Sequence, residues 1–226
     1  MGFVEARNLP ALSQHPALDE ACRELEINLR SQYGGMDRKQ LRELPTMRAF
    51  DAHFAPFGKS YHVLLQLESV AVKGRPIPNR LCAVTALFMA ELRQGLVAAG
   101  HDMKPLTPPL TMAASTAGER YIGFGDKEIV LPANDMTLRD AQGILSSVLY
   151  GPQGCSPIVS STVDVLYTIY SPAGAPDEAL EAQIQDLIAY LRLYAPRASI
   201  CQSIYPGVSS TPLPAEEAPL AYSVRI

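Results

Sequence analysis

The polar residues best suited to chemistry lie at the ends of predicted segments, not in one compact motif. His101 and Asp102 stand side by side after Gly100, and Glu119 follows a predicted turn. An imidazole next to a carboxylate is suited to general-base catalysis or to holding a water molecule. Neighbouring residues on an extended strand point to opposite faces, so the pair need not act together. Two interpretations follow: a catalytic pair, or a loop pair that makes only local hydrogen bonds.

Three cations surround a proline-rich loop. Lys73 and Arg75 precede the sequence PIPN, and Arg80 follows it. Clustered cations contact nucleic-acid phosphates, although such clusters are also common on solvated surfaces. The prolines fix the path of the loop, and the apolar segment 81–94 that follows is predicted to be a buried helix. We therefore predict that this loop forms the rim of a pocket.

Small side chains interrupt the segment LRDAQGILSS, residues 138–147. Ala141, Gly143, Ser146 and Ser147 stand where a strand would carry bulkier residues. Small residues let a ligand or another backbone approach closely, and close packing of a strand on a helix would require the same. Both explanations stay open. If the small residues make room for a ligand, this segment and the proline-rich loop are predicted to face each other across one cavity.

The sequence motifs of several common binding sites and catalytic sites are absent from this chain. The chain lacks the phosphate-binding GxxxxGK[ST], the dinucleotide-binding GxGxxG and the hydrolase GxSxG, so no cofactor is expected. The cysteines lie far apart without a CxxC pair or an accompanying histidine motif, which predicts no metal site and free thiols. They are Cys22, Cys82, Cys155 and Cys201. Cys155 is expected to be a passive loop thiol.

Composition indicates an ordinary globular chain. It has 226 residues, 47% of them hydrophobic and 19% charged, with a net charge of −4. The negative charge argues against a broadly basic nucleic-acid-binding surface, so any such contact needs a local patch. No signal-peptide pattern begins the chain, and its most apolar run is too short to span a bilayer. We predict a cytoplasmic protein without membrane contact.

Periodicity predicts helices first, then strands, then a helix. Helices are predicted at 16–30, 45–56, 61–72, 81–94 and 177–194. Strands are predicted at 110–115, 120–124, 128–131, 137–139, 143–150 and 163–170. The proline-rich tail from Pro196 is predicted to be an irregular arm. This order predicts an α+β fold, or an α/β-like one if strands pair in parallel.

Four segments together resemble the B3/B4 domain of the β subunit of bacterial phenylalanyl-tRNA synthetase, a domain that also occurs as a separate protein. They are KSYHVLLQLESVAVKGRPIPNRLCAVTALFMAELRQGLVAAGHDM, GERYIGFG, EIVLPANDMTLRDAQGILSS and TVDVLYTIYS. The resemblance implies a mixed, barrel-like sheet flanked by helices. It also implies three parts of the chain: an N-terminal helical extension (1–45), a B3/B4-like domain (46–195) and a Pro-rich C-terminal arm (196–226).

In the synthetase, the domain that this chain resembles hydrolyses the ester of tRNA mischarged with tyrosine. The helix and loop from Val84 to Asp102 correspond to a Pro-x-His-x-Phe-Asp type signature. Gly95 and Val97 stand where the proline and histidine are expected, and the histidine of this chain is displaced to His101. The stretch 140–144 corresponds to the small-residue segment that lines the editing pocket.

The resemblance therefore implies a protein that binds RNA or aminoacyl-tRNA, with hydrolysis of a mischarged ester as the expected reaction. Its chain lacks aminoacylation modules, so it is not a synthetase. The candidates for positioning the attacking water are His101, Asp102 and Glu119. The candidates for lining the pocket are Arg139, Ala141, Gln142, Gly143 and Ser146. The candidates for phosphate contacts are Lys73, Arg75 and Arg80.

Two other functions stay open from the sequence. One is a non-catalytic module that binds an amino acid or a similar small ligand. The other is an interaction module that docks through its helical N-terminal segment. The sequence leaves the oligomeric state, the cognate tRNA and the occurrence of any turnover undetermined.

Overall fold

The computed structural model describes residues 1–205 and, for the backbone, residues 222–224. The chain divides into two compact units. The first comprises Met1–Gly100 and Ile158–Pro206, and the second comprises His101–Pro157 and Gly207–Ile226. The described residues contain six α-helices and open sheets, with no closed barrel among them. The predicted α+β class is confirmed.

All six helices belong to the first unit. They are α1 (Pro16–Tyr33), α2 (Arg38–Arg42), α3 (Pro45–Phe54), α4 (His62–Leu67), α5 (Cys82–Gln94) and α6 (Asp177–Tyr194). Their boundaries follow from local chemistry. Asp37 and Gln40 form a reciprocal capping box at the start of α2, and Gly95 ends α5 in a left-handed conformation at φ 80°. No helix within the described residues is long and apolar enough to cross a membrane.

The predicted helix 61–72 changes its winding part of the way along. Helix α4 ends at Leu67, and a π-helical turn, Glu68–Val72, continues it. Arg30 of α1 donates hydrogen bonds to the carbonyl oxygens of Val70 (3.4 Å) and Gly74 (3.2 Å). The end of this turn, where backbone carbonyls lack partners inside the helix, is therefore tied to α1.

A four-stranded sheet with the order β10-β1-β9-β2 belongs to the first unit, except for His101 and Asp102 at the end of β2, which are counted in the second. Its strands are β1 (Gly2–Arg7), β2 (Ala98–Asp102), β9 (Val165–Ile169) and β10 (Ser199–Ile204). β1 pairs antiparallel with both β9 and β10. Helix α6 packs so closely on β1 that a Cβ added at Gly2 would lie 2.6 Å from the Ile184 Cδ1.

Two sequence predictions are corrected by this sheet. Residues 199–204 form strand β10, although the tail from Pro196 was expected to be irregular. The N-terminal segment, expected to be helical, begins with strand β1. β1 pairs with β9 and β10, and β10 pairs with β1, so each of these pairings joins segments more than 150 residues apart in the chain. The remainder of the tail, except the backbone of 222–224, lies outside the described residues.

The second unit is built from short antiparallel strands. Its sheets have the orders β11-β3-β6-β7-β8 and β4-β5. The strands are β3 (Leu110–Ala114), β4 (Arg120–Ile122), β5 (Glu128–Val130), β6 (Met136–Asp140), β7 (Gly143–Ser147), β8 (Gly151–Pro152) and β11 (Tyr222–Val224). A bulge lies in the β6–β7 pair, between Leu138 and Arg139. Tyr121, Leu131 and Ile144 form a buried apolar cluster here.

Candidate active site

His101 and Ser156 form a buried imidazole–hydroxyl pair in the second unit. The His101 Nδ1 lies 2.9 Å from the Ser156 Oγ. His101 is 0% exposed and Ser156 is 1% exposed. A histidine at this distance can accept the proton of the hydroxyl, and it can also hold the hydroxyl oxygen in position to attack a carbonyl carbon.

The other ring nitrogen of His101 has no hydrogen-bond partner among the described residues. Its Nε2 is buried and forms no hydrogen bond with any described residue. An unsatisfied buried polar atom costs about 1–3 kcal/mol, so such atoms are rare and often mark functional sites. Burial lowers the pKa of His101 to about 4, although the nearby Asp140 carboxylate acts in the opposite direction. The imidazole is therefore neutral at physiological pH, which is the protonation state of a general base.

Backbone contacts on both sides hold the pair in place. The N–H of Asp102 donates to the Ser156 carbonyl oxygen at 3.0 Å, which sets the serine opposite the end of strand β2. The preceding segment is fixed against β4, since the Gly154 N–H donates to the Ile122 carbonyl oxygen at 3.0 Å. A Cβ at Gly154 would lie 3.0 Å from the Gly123 carbonyl oxygen, so this approach favours glycine.

Two further groups surround the pair. Cys155 is exposed, and burial of its sulfur, with a smaller contribution from Asp140, raises the pKa of its thiol. Asp140 accepts backbone hydrogen bonds from Thr107 (3.0 Å), Gln142 (2.8 Å) and Gly143 (3.1 Å). The Asp140 carboxylate is thus held by the backbone at a position where its charge favours an imidazolium at His101.

Asp102, the sequence neighbour of His101, has a different environment. It is half-buried, and its Oδ1 accepts a hydrogen bond from the Lys104 N–H at 2.9 Å. This contact closes a short turn immediately after β2. The hydroxyl partner of His101 is 55 residues away in the sequence. No local pattern indicated Ser156, and sequence reasoning did not select it.

Glu119 forms an ion pair with Arg139. The two side chains meet through two hydrogen bonds of 2.9 and 2.7 Å, and Glu119 also accepts from the Thr116 N–H at 2.9 Å. These hydrogen bonds, led by those from Arg139, lower the pKa of Glu119. Glu119 is therefore an ionised, half-exposed carboxylate whose oxygens are already engaged.

The predicted pocket residues divide into two groups. Ala141, Gln142 and Gly143 are exposed at the turn between β6 and β7, where Gly143 has φ 141°. Ser146 is buried on β7 and pairs with Leu138 of β6. Arg139 lies beside the same turn at the end of β6. The structure places these residues around one hairpin of the second unit.

The predicted phosphate-binding cations lie in the first unit. Lys73 forms an ion pair of 3.2 Å with Glu68. Arg75 and Arg80 are exposed and form no ion pair or side-chain hydrogen bond with the part of the chain that the structure describes. These two arginines are available to an anionic partner.

The proline-rich loop between these cations is fixed to helix α1. Glu26 accepts a hydrogen bond from the Ile77 N–H at 2.8 Å, and Asp19 accepts one from the Asn79 side chain at 2.6 Å. Two hydrogen bonds therefore attach the loop to α1, and its rigidity stays a prediction. Since it belongs to the first unit and the 141–143 turn to the second, a cavity shared by the two stays a prediction.

A buried polar cluster in the second unit was not predicted from the sequence. Asp135 is 0% exposed and accepts hydrogen bonds from the Ser147 hydroxyl and from the Leu149 N–H, the latter at 3.3 Å. The Ser115 Oγ accepts the Asp135 N–H at 3.0 Å. This network connects β6 and β7 with the segments beside them and supports the hairpin that carries Arg139.

Among solved structures, the chain resembles part of an aminoacyl-tRNA synthetase subunit. No family model and no curated protein matches the chain. A solved N-terminal fragment of the phenylalanyl-tRNA synthetase β subunit from Pyrococcus horikoshii superposes with a TM-score of 0.47 and 12% sequence identity. The match covers 88% of this chain and 46% of that chain, so the chain spans less than half the length of the fragment.

Proposed function

We propose that this protein binds aminoacyl-tRNA and hydrolyses the ester bond of a mischarged amino acid. The observation that carries the proposal is His101, a neutral, buried imidazole that contacts one hydroxyl and whose second nitrogen forms no hydrogen bond with any described residue. Ester hydrolysis requires a base of this kind within hydrogen-bonding distance of the attacking group. The sequence resemblance to an editing domain points to the same reaction.

The electrostatic environment of His101 fits this role in two respects. Its lowered pKa keeps the ring unprotonated throughout the physiological range, so the base does not have to lose a proton first. The carboxylate of Asp140 favours the imidazolium that forms when the ring accepts a proton. Burial weakens the base and the aspartate partly offsets that loss.

The RNA contact is assigned to Lys73, Arg75 and Arg80 in this proposal. Of these three cations, Arg75 and Arg80 form no ion pair with a described residue, and the chain as a whole carries a net charge of −4. Few phosphate contacts and an acidic background imply weak binding that salt reduces further. Binding of this kind suits a protein that samples many tRNAs and retains none of them.

The proposal is tested by deacylation of a panel of correctly charged and mischarged tRNAs. Tyrosyl ester on the phenylalanine tRNA is expected to be hydrolysed faster than phenylalanyl ester on the same tRNA. His101→Gln should reduce the rate by roughly 10²-fold, the effect typical of a lost general base. Release at the rate measured without protein, for every member of the panel, would refute hydrolysis.

A second function is supported by the Glu119–Arg139 pair. Its side chains are 29% and 23% exposed, and they place one negative and one positive group side by side, so that an amino acid can bind by replacing the hydrogen bonds between the two. A free amino acid carries the complementary ammonium and carboxylate. We propose, as the alternative, that the protein binds an amino acid without turnover at this pair.

Calorimetric titration with L-tyrosine and L-phenylalanine tests the alternative. Arg139→Gln should abolish the binding signal. Arg120→Gln is the matched control, because Arg120 forms an ion pair with Glu128 in the same unit but at a much more exposed position, 57% and 55%. Equal binding by both variants, or no binding by the wild type, would remove this candidate.

A further inference from the structure

We infer that Ser156 is the nucleophile of the hydrolysis, with His101 as its base, so that the reaction passes through an ester of the amino acid with the Ser156 Oγ. This inference rests on the proposed function and goes beyond it, because direct attack by water would need no serine. It assigns a catalytic role to a residue that carries none of the common nucleophile motifs.

The geometry singles out Ser156 among the nucleophilic side chains of this site. Its Oγ lies 2.9 Å from the His101 Nδ1, a distance at which a hydroxyl proton can pass to the ring. The backbone hydrogen bond from Asp102 to the Ser156 carbonyl oxygen fixes the two residues opposite each other. The serine is therefore positioned before any substrate arrives, which reduces the entropy lost on reaching the reactive geometry.

Cys155 is the competing nucleophile, and its environment disfavours it. Burial of the sulfur and the Asp140 carboxylate raise the pKa of the thiol by more than its hydrogen bonds with the Ser156 side chain and the backbone lower it, so the thiolate is depleted at neutral pH. A thiol becomes reactive when a neighbouring cation or helix N-terminus lowers its pKa, and the charge acting here is negative. The Ser156 hydroxyl, with the neutral His101 imidazole as its base, is therefore the better candidate for the nucleophile.

The chemical step balances with one water molecule. In the tautomer required, the Ser156 O–H donates to the His101 Nδ1 and the ring proton lies on Nε2. The Oγ bonds to the carbonyl carbon as its proton moves to Nδ1, and the bond from that carbon to the tRNA ribose oxygen breaks. The ribose oxygen takes the proton from Nδ1. Water then attacks the acyl-serine, loses a proton to Nδ1 and releases the amino acid, and Oγ regains a proton.

The substrate ester must be able to reach the buried Ser156 hydroxyl. Ser156 is 1% exposed, whereas Cys155 beside it is exposed, so the hydroxyl lies one residue beneath the surface. The turn formed by residues 153–157 must open for an ester to reach the Oγ. A small reagent that sulfonylates activated serines, tested together with a Cys155 variant, shows whether the Oγ can be reached.

The first experiment treats the full-length protein with phenylmethanesulfonyl fluoride and measures its intact mass. One adduct is expected on the wild type and on Cys155→Ala, and none on Ser156→Ala or His101→Gln. Ser160→Ala, which replaces an exposed serine four residues after Ser156, should be labelled like the wild type. An unlabelled wild type, or equal labelling of Ser156→Ala, would overturn the inference.

The second experiment compares deacylation rates. Ser156→Ala should lose roughly 10²-fold or more of the rate on a mischarged tRNA, with Cys155→Ala within twofold of the wild type. Far-UV circular dichroism checks that the variants are folded, since the chain has no tryptophan. Unchanged hydrolysis by Ser156→Ala refutes the nucleophile and keeps the proposed function. Labelling at Ser156 without deacylation of any tRNA supports the nucleophile and refutes the proposed substrate.

Discussion

Replacing Glu91 by glutamine should stabilise this protein at neutral and alkaline pH. Glu91 lies on α5 and is 5% exposed, and its Oε1 accepts a hydrogen bond from the Ala98 N–H at 2.9 Å. Burial raises the pKa of this carboxyl from 4.5 to about 8, and the hydrogen bond from Ala98 offsets only part of the shift. Glutamine keeps a carbonyl oxygen that can accept this bond, and it carries no charge at any pH.

The sign of the effect follows from proton binding. Between pH 4.5 and about 8 the folded protein holds a proton on Glu91 that the unfolded chain has released. The stability contributed by the neutral carboxyl is therefore complete below pH 4.5, declines as the pH rises, and is lost once the pH has passed about 8. Above pH 4.5, each pH unit lowers this contribution to the free energy of unfolding by about 1.4 kcal/mol, so the wild type has lost roughly 3 kcal/mol by pH 7.

Urea denaturation followed by circular dichroism at pH 5, 7 and 8.5 measures this difference. The variant should gain little at pH 5, roughly 3 kcal/mol at pH 7 and somewhat more at pH 8.5. Glu24→Gln, the same chemical change at an exposed position of α1, should alter the free energy of unfolding by less than about 0.5 kcal/mol. An advantage of Glu91→Gln that does not grow with pH would show that the carboxyl is not held neutral by burial.

Three further predictions concern the second unit and the RNA contact. Asp135→Ala should lower the free energy of unfolding by roughly 3 kcal/mol in urea denaturation, because it leaves buried donors unpaired; a change below 1 kcal/mol would contradict this. Ala141→Trp should abolish tyrosine binding or deacylation while changing stability by under about 0.5 kcal/mol, since Ala141 is exposed; a large loss of stability would exclude a pocket there. Arg75→Ala with Arg80→Ala should reduce the salt dependence of tRNA binding in mobility-shift titrations by about two phosphate contacts, whereas Lys127→Ala should not. Tight binding that salt does not affect would place the interface elsewhere.

The sequence by itself determined most of the regular elements that form through local contacts. The apolar periodicity of 16–30 and 177–194 predicted α1 and α6, and the structure confirms both. The alternation of short β-rich segments with turn residues predicted β3 to β7 of the second unit. The sequence predicts these elements because the spacing of apolar residues that buries one face of a helix or strand repeats within a few residues.

Strands β1 and β10 and the pairing of His101 with Ser156 were decided by the tertiary structure alone. β1 is only six residues long, and its partners begin 158 or more residues away, so no local pattern marks it as a strand. His101 was selected from the sequence together with Asp102, either as a catalytic pair or as a loop pair with only local hydrogen bonds. An extended backbone turns adjacent side chains to opposite faces, and the fold brings the Ser156 hydroxyl to the buried one. Which distant segments form hydrogen bonds with each other depends on the path of the whole chain. Packing of the entire unit determines that path, and the residues next to His101 or Ser156 in the sequence do not.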